Sequence, residues 1–112
     1  MASVRLNLKK RVVVTGIGIV SPCGIGVQPF WESVRDGRSG VGWITSFDAS
    51  QLYCRIAGEV HDFDATDYMK PSDAGKSGRF VHFAVASATL AAQDAGLDEA
   101  KVDPTRYGTI FG

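Results

Sequence analysis

The chain has 112 residues, and its twelve basic and twelve acidic side chains give no net charge. Hydrophobic residues make up 45% of the chain and charged residues 21%, which is typical of a soluble globular domain and excludes disorder of the whole chain. The balanced charge also argues against a nucleic acid partner, because nothing attracts phosphates in bulk. The length allows one domain, or part of one.

The first residues look superficially like a secretion signal. Residues 9–11 are basic, and the apolar run 12–20 follows them. Gly16 and Gly18 weaken this run, Pro22 disfavours cleavage, and the run is too short to cross a bilayer. We therefore expect no membrane span and a cytoplasmic location, with secretion as the alternative.

The first half of the chain predicts one strand and one helix. Residues 1–10 indicate a loose lead-in, and the β-branched run 11–15 predicts a strand covered on both faces. A helix is predicted from about residue 29 to residue 36, with Gly37 as its C-terminal stop. Residues 38–51 indicate irregular structure.

The second half contains the strongest helical pattern. Residues 55–60 predict a short edge strand, 61–68 a surface loop or helical turn, and Pro71 a helix start. Residues 77–95 carry apolar positions nearly all round, which is typical of a buried helix, and Ser77 is its expected cap.

A second apolar strand is predicted at residues 107–111, after a Schellman helix end at Gly96 and Leu97. Strands that alternate with helices favour an α/β fold with a parallel sheet. Two core strands are too few to form that sheet. The helix at residues 77–95 is also so apolar that it needs more protein around it than this chain supplies. We therefore interpret residues 11–112 as the first part of a larger domain.

The glycine pair Gly16 and Gly18 after a strand suggests a dinucleotide-binding fingerprint. The fingerprint requires a third glycine where this chain has Ser21, and it requires a helix to start at the glycines. Pro22 and Gly24 delay the helix instead. A nucleotide-binding module is thus a minor alternative, and we predict no cofactor-binding residues.

Two cysteines and two histidines are the candidates for thiol chemistry. Cys23 and Cys54 fit no CxxC zinc pattern and are expected to be free thiols. Cys23 lies in a glycine-flanked loop where a nucleophile could sit, with His61 and His82 as formal bases. His82 lies in the predicted buried helix and His61 beside an acidic loop, so spacing alone establishes no nucleophile–base pair. We assign no catalytic residue.

An acidic cluster is formed by Asp62, Asp64 and Asp67. Calcium loops place aspartates at alternating positions, but they also need a glycine and a distal glutamate in register. Phe63 and Tyr68 interrupt the cluster instead. A solvated loop is the favoured interpretation, and no metal site is predicted.

Residues 11–22, RVVVTGIGIVSP, closely resemble the N-terminal strand and loop of β-ketoacyl-acyl-carrier-protein synthases. The best match is to the type II elongating enzyme and to polyketide ketosynthases. Similar segments continue in the family's order to the end of the chain, at Gly26–Val27, Phe30–Trp31, Gly37–Gly40, Phe47–Asp48, Ile56–Val60, Asp62–Asp64, Arg79–Phe80, Phe83–Ala84, Asp94–Leu97 and Arg106–Gly108. One departure is Lys76–Gly78, where family members often have a basic residue, Met and Asp.

The resemblance implies the N-terminal part of a thiolase-like fold with five αβαβα layers. It implies an acyltransferase that elongates acyl chains in fatty-acid or polyketide synthesis by decarboxylative condensation of malonyl thioesters. The family's partners are acyl carrier protein and acyl and malonyl thioesters, and its members form homodimers or heterodimers. Its catalytic cysteine and two histidines match no residue of this chain, so the 112 residues alone should be inactive. The alternative is a non-catalytic partner subunit that resembles a chain-length factor.

Overall fold

The computed structural model describes residues 11–97 and 101–111. The predicted lead-in, residues 1–10, lies outside them. The elements in chain order are the strands β1 (Val20–Ser21) and β2 (Gly24–Ile25), helix α1 (Val27–Arg35), the strands β3 (Val41–Trp43) and β4 (Ile56–Gly58), and the helices α2 (Pro71–Ala74) and α3 (Arg79–Asp94). Short 3₁₀ turns occupy Ala65–Asp67 and Pro104–Arg106.

Helix α3 confirms the long helix predicted at residues 77–95. Its predicted cap is wrong, because the residue before the helix is Gly78 and no side chain caps it. The hydroxyl of Ser77 instead donates to the carbonyl of Asp73, at 2.7 Å. The pattern located the helix correctly, but this hydroxyl stabilises the preceding turn.

Both longer helices end in a Schellman arrangement, at Gly96 as the sequence predicts and at Gly37, which the sequence predicts only as a helix stop. Gly96 has φ +60°, and the N–H of Leu97 donates to the carbonyl of Ala92 at 2.9 Å. Gly37 has φ +67°, and the N–H of Arg38 reaches back five residues to a carbonyl of α1 in the same way. Only glycine adopts this left-handed conformation without steric cost, so each helix ends where its glycine stands.

The N-terminal segment crosses α3 at Gly16 and Gly18. A Cβ built on Gly18 would lie 2.6 Å from the backbone nitrogen of Ala91 and would collide with the carbonyl of Ser87. A Cβ on Gly16 would lie 2.8 Å from the Cβ of Ala95. The two backbones can therefore touch, because α3 presents small residues one turn apart and the N-terminal segment presents glycines opposite them.

Two antiparallel hairpins follow this crossing. β1 pairs with β2, and β3 pairs with β4 in the register Val41↔Gly58 and Trp43↔Ile56. The edge strand predicted at residues 55–60 is therefore confirmed, whereas the irregular structure predicted for 38–51 is wrong at β3. Pro22, in the turn of the first hairpin, packs against the second hairpin. Its ring Cγ would lie only 2.8 Å from a Cβ built on Gly58.

The strands predicted at residues 11–15 and 107–111 are not formed. Neither segment pairs with any described part of the chain, and both ladders that do form are antiparallel rather than parallel. A strand requires a partner for its backbone N–H and C=O groups. Without one, both runs remain apolar and exposed; Val12 is 97% exposed and Ile110 is 96% exposed.

The hydrophobic core is small. Among the described residues, only Ala49 and Ala86 are buried, and Phe80 of α3, the helix predicted to be buried, is 78% exposed. The chain exposes 9466 Å² of surface, against roughly 6,000 Å² for a compact monomer of this size. The predicted need of α3 for surrounding protein is therefore not met by the residues that the structure describes.

Replacing Gly18 by alanine should destabilise the chain by about 1–3 kcal/mol, because the new methyl group would force α3 and the N-terminal segment apart. The matched control is Gly42→Ala, since nothing lies within 4 Å of a Cβ at Gly42. That control should change stability by less than about 0.5 kcal/mol. Urea unfolding followed by circular dichroism measures both, and equal midpoints for the two variants would contradict the crossing.

Candidate functional site

A cleft of about 830 Å³ opens between the loop after β4 and the first turns of α3. It has a mixed lining of carboxylates, aromatic rings and one guanidinium. The residues that line it are Thr45, Ser46, Gly58, Glu59, Val60, His61, Asp62, Phe63, Asp64, Arg79 and Phe83.

Arg79 fastens the start of α3 to the loop after β4. Its Nη2 donates to the carbonyl of Val60 at 2.8 Å, and its Cζ lies 5.5 Å from the ring centre of Phe63 and 4.9 Å from that of Phe83. The two phenylalanine rings meet edge to face at 5.0 Å, and Phe63 stacks on Tyr68 at 5.8 Å. Cation–π contacts at exposed sites contribute about 0.5–1 kcal/mol each, so this cluster is a structural clamp.

Glu59 holds Thr45 and Ser46, which lie shortly after β3, close to the end of β4. One carboxylate oxygen accepts from the N–H and hydroxyl of Thr45, at 2.9 and 2.8 Å, and the other from the N–H and hydroxyl of Ser46, at 3.1 and 2.5 Å. The Ser46 hydroxyl, followed by the Thr45 N–H and hydroxyl, lowers the pKa of Glu59 from 4.5 to about 2. All four bonds favour the ionised form, so Glu59 is an anchor and not a proton donor.

The structure brings together two members of the possible nucleophile–base set Cys23, His61 and His82. Cys23 and His61 line one cleft of about 340 Å³, together with Asp62. His82 lies elsewhere, with its Nε2 3.0 Å from the carbonyl of Ala74. A carbonyl only accepts, so this contact places the proton on Nε2 and ties α3 to α2. The three-residue set is therefore not formed.

Cys23 itself is held through its backbone. Its N–H donates to the hydroxyl of Ser21 at 3.2 Å, and its carbonyl accepts from the hydroxyl of Ser33 at 2.7 Å. Both cysteines are free thiols, Cys23 half-buried and Cys54 exposed. These contacts stabilise the turn between β1 and β2.

The glycine pair has a packing role rather than a nucleotide-binding one. Gly16 and Gly18 face the backbone of α3, and the carboxylate of Asp94 accepts from the N–H of Ile17 at 2.9 Å. The helix thus fills the space beside the glycines that a pyrophosphate would need. Helix α1 begins only at Val27, too late to direct its N-terminus at such a ligand.

The acidic residues form local turns. Asp64 accepts from the N–H and hydroxyl of Thr66 at 2.8 and 2.6 Å, and these bonds lower its pKa, the hydroxyl first. Asp103 makes the same pair of bonds to Thr105. The Asp-x-Thr spacing is the sequence signal for such turns. The solvated loop was predicted without it. In the described ranges, no group of three His, Cys, Asp or Glu side chains could hold a metal ion.

Within residues 11–97 and 101–111, no helix is long and apolar enough to cross a membrane.

Comparison with known proteins agrees with the sequence resemblance. Residues 9–112 match the family model described as the N-terminal domain of β-ketoacyl synthase. The chain is 44% identical over 104 residues to 3-oxoacyl-[acyl-carrier-protein] synthase 2 of Synechocystis sp., covering 93% of this chain and 25% of that relative. It is 41% identical over 106 residues to the granaticin polyketide putative β-ketoacyl synthase 1 of Streptomyces violaceoruber, and the match covers 94% of this chain and 25% of that relative. The chain thus spans about a quarter of the curated relatives it matches.

A solved structure shares the fold. The chain is similar to the ishigamide ketosynthase/chain length factor with a TM-score of 0.71 and 39% identity, over 80% of this chain and 22% of that one. This likeness confirms the α/β class predicted from the sequence, the N-terminal part of a thiolase-like fold.

Replacing Glu59 by glutamine should lower the thermal midpoint at pH 7, because the amide is neutral and has one acceptor oxygen where the carboxylate has two that accept from Thr45 and Ser46. The folded-state pKa of Glu59 lies below its ordinary value, so its stabilisation is complete above pH 4.5 and is lost as the pH falls towards 2. The difference between wild type and variant should shrink over that window. Glu32→Gln, which removes an α1 carboxylate that accepts from Gln28, is the control. A pH-independent difference would contradict the anchor.

Proposed function

The chain belongs to the β-ketoacyl synthase family, and on that premise we propose that it forms the N-terminal portion of a condensing acyltransferase. The reaction joins malonyl-acyl-carrier protein to an acyl thioester with loss of carbon dioxide, in fatty-acid or polyketide synthesis. The observation that carries this proposal is the family match over residues 9–112, together with 44% identity to a 3-oxoacyl-[acyl-carrier-protein] synthase 2.

The proposed chemistry uses a cysteine, supplied by the part of the synthase that corresponds to none of these residues. Its thiolate takes the acyl group from one carrier protein and releases that carrier's thiol. Loss of carbon dioxide from malonyl-carrier protein then leaves an enolate, which two histidines stabilise. The enolate attacks the acyl-cysteine thioester, giving 3-oxoacyl-carrier protein and regenerating the thiol.

The described residues act as a scaffold in this proposal. The clamp at Arg79, the anchor at Glu59 and the crossing at Gly16 and Gly18 fix the positions of α3 and the two hairpins. Cys23 and His61 share a cleft but are not assigned to the reaction. Residues 11–112 are proposed as one incomplete part of the synthase domain.

The proposed partners follow from the same chemistry. They are acyl carrier protein, the acyl and malonyl thioesters that it carries, and a second synthase subunit in a homodimer or heterodimer. The name of the Synechocystis relative, which specifies acyl carrier protein, supports the first of these. The proposed location is the cytoplasm, and the proposal includes no nucleic acid and no cofactor.

A second candidate is a non-catalytic subunit with the same fold. One solved structure that resembles the chain is named as a ketosynthase/chain length factor, and 39% identity to it fits either kind of subunit. The two candidates differ in whether the polypeptide that carries this sequence takes an acyl group onto a cysteine.

Incubating that polypeptide, purified from its source, with radiolabelled acyl-carrier protein should leave the label on one cysteine outside these 112 residues. The reason is that the proposed nucleophile must form a thioester before condensation. Peptide mass mapping locates the label. A folded polypeptide that takes no label would favour the non-catalytic subunit.

Cys23→Ser should leave the rate of condensation within about twofold, since the thiol is not assigned to the reaction. The variant is best made in a chimaera in which this sequence replaces the matching 104 residues of the Synechocystis relative. Release of carbon dioxide and formation of 3-oxoacyl-carrier protein are measured together. A drop of roughly a hundredfold in kcat, with unchanged folding, would place Cys23 in the catalytic machinery.

A further inference from the structure

We draw no further inference here: the strongest candidate, the cleft of about 340 Å³ that Cys23, His61 and Asp62 line between the turn of the first hairpin and the loop after β4, carries nothing because it rests on a single thiol beside two exposed side chains, and no feature of the described residues points to a ligand for it.

Discussion

The contact on which this structure depends is the crossing of an extended segment over α3 at Gly16 and Gly18. Two backbones can approach this closely only where neither side presents a side chain larger than a methyl or hydroxymethyl group, and Ser87, Ala91 and Ala95 meet that condition on the helix. The bond from the N–H of Ile17 to Asp94 fixes the register of the crossing. Together they hold the segment that leads into β1 against α3.

The crossing at Gly16 and Gly18 and the polar clusters of the described residues have structural partners. The glycines that suggest a nucleotide loop are occupied by a helix, and the polar clusters at Glu59, Asp64 and Arg79 are satisfied by neighbouring backbone, hydroxyl or aromatic groups. A side chain whose acceptors or donors are already bonded gains little from a ligand. The described residues thus hold a frame in place, and the chemistry of the family is assigned to other residues.

The sequence predicts those features of the fold that local chemistry determines. The two helix ends at Gly37 and Gly96 are correct because a left-handed glycine terminates a helix whatever surrounds it. The strands predicted at residues 11–15 and 107–111 are not formed, because a ladder depends on partners distant in the sequence and no described segment pairs with either run. β3 escapes prediction because its three residues include Gly42, which carries no strand signal. The shared cleft of Cys23 and His61 is likewise invisible in the sequence, since 38 residues separate them in the chain.

The measurement that tests the central claim most directly is amide hydrogen exchange on the isolated, monomeric chain, read residue by residue by NMR. The amides of α3 and of Ile17 should be protected, whereas those of Val12, Val13 and Ile110 should exchange at the rate of an unstructured peptide. That result would establish an ordered crossing flanked by strands that lack their partners. Strong protection of Val12 and Val13 in the monomer would contradict it, because these strands would then already be paired within the chain.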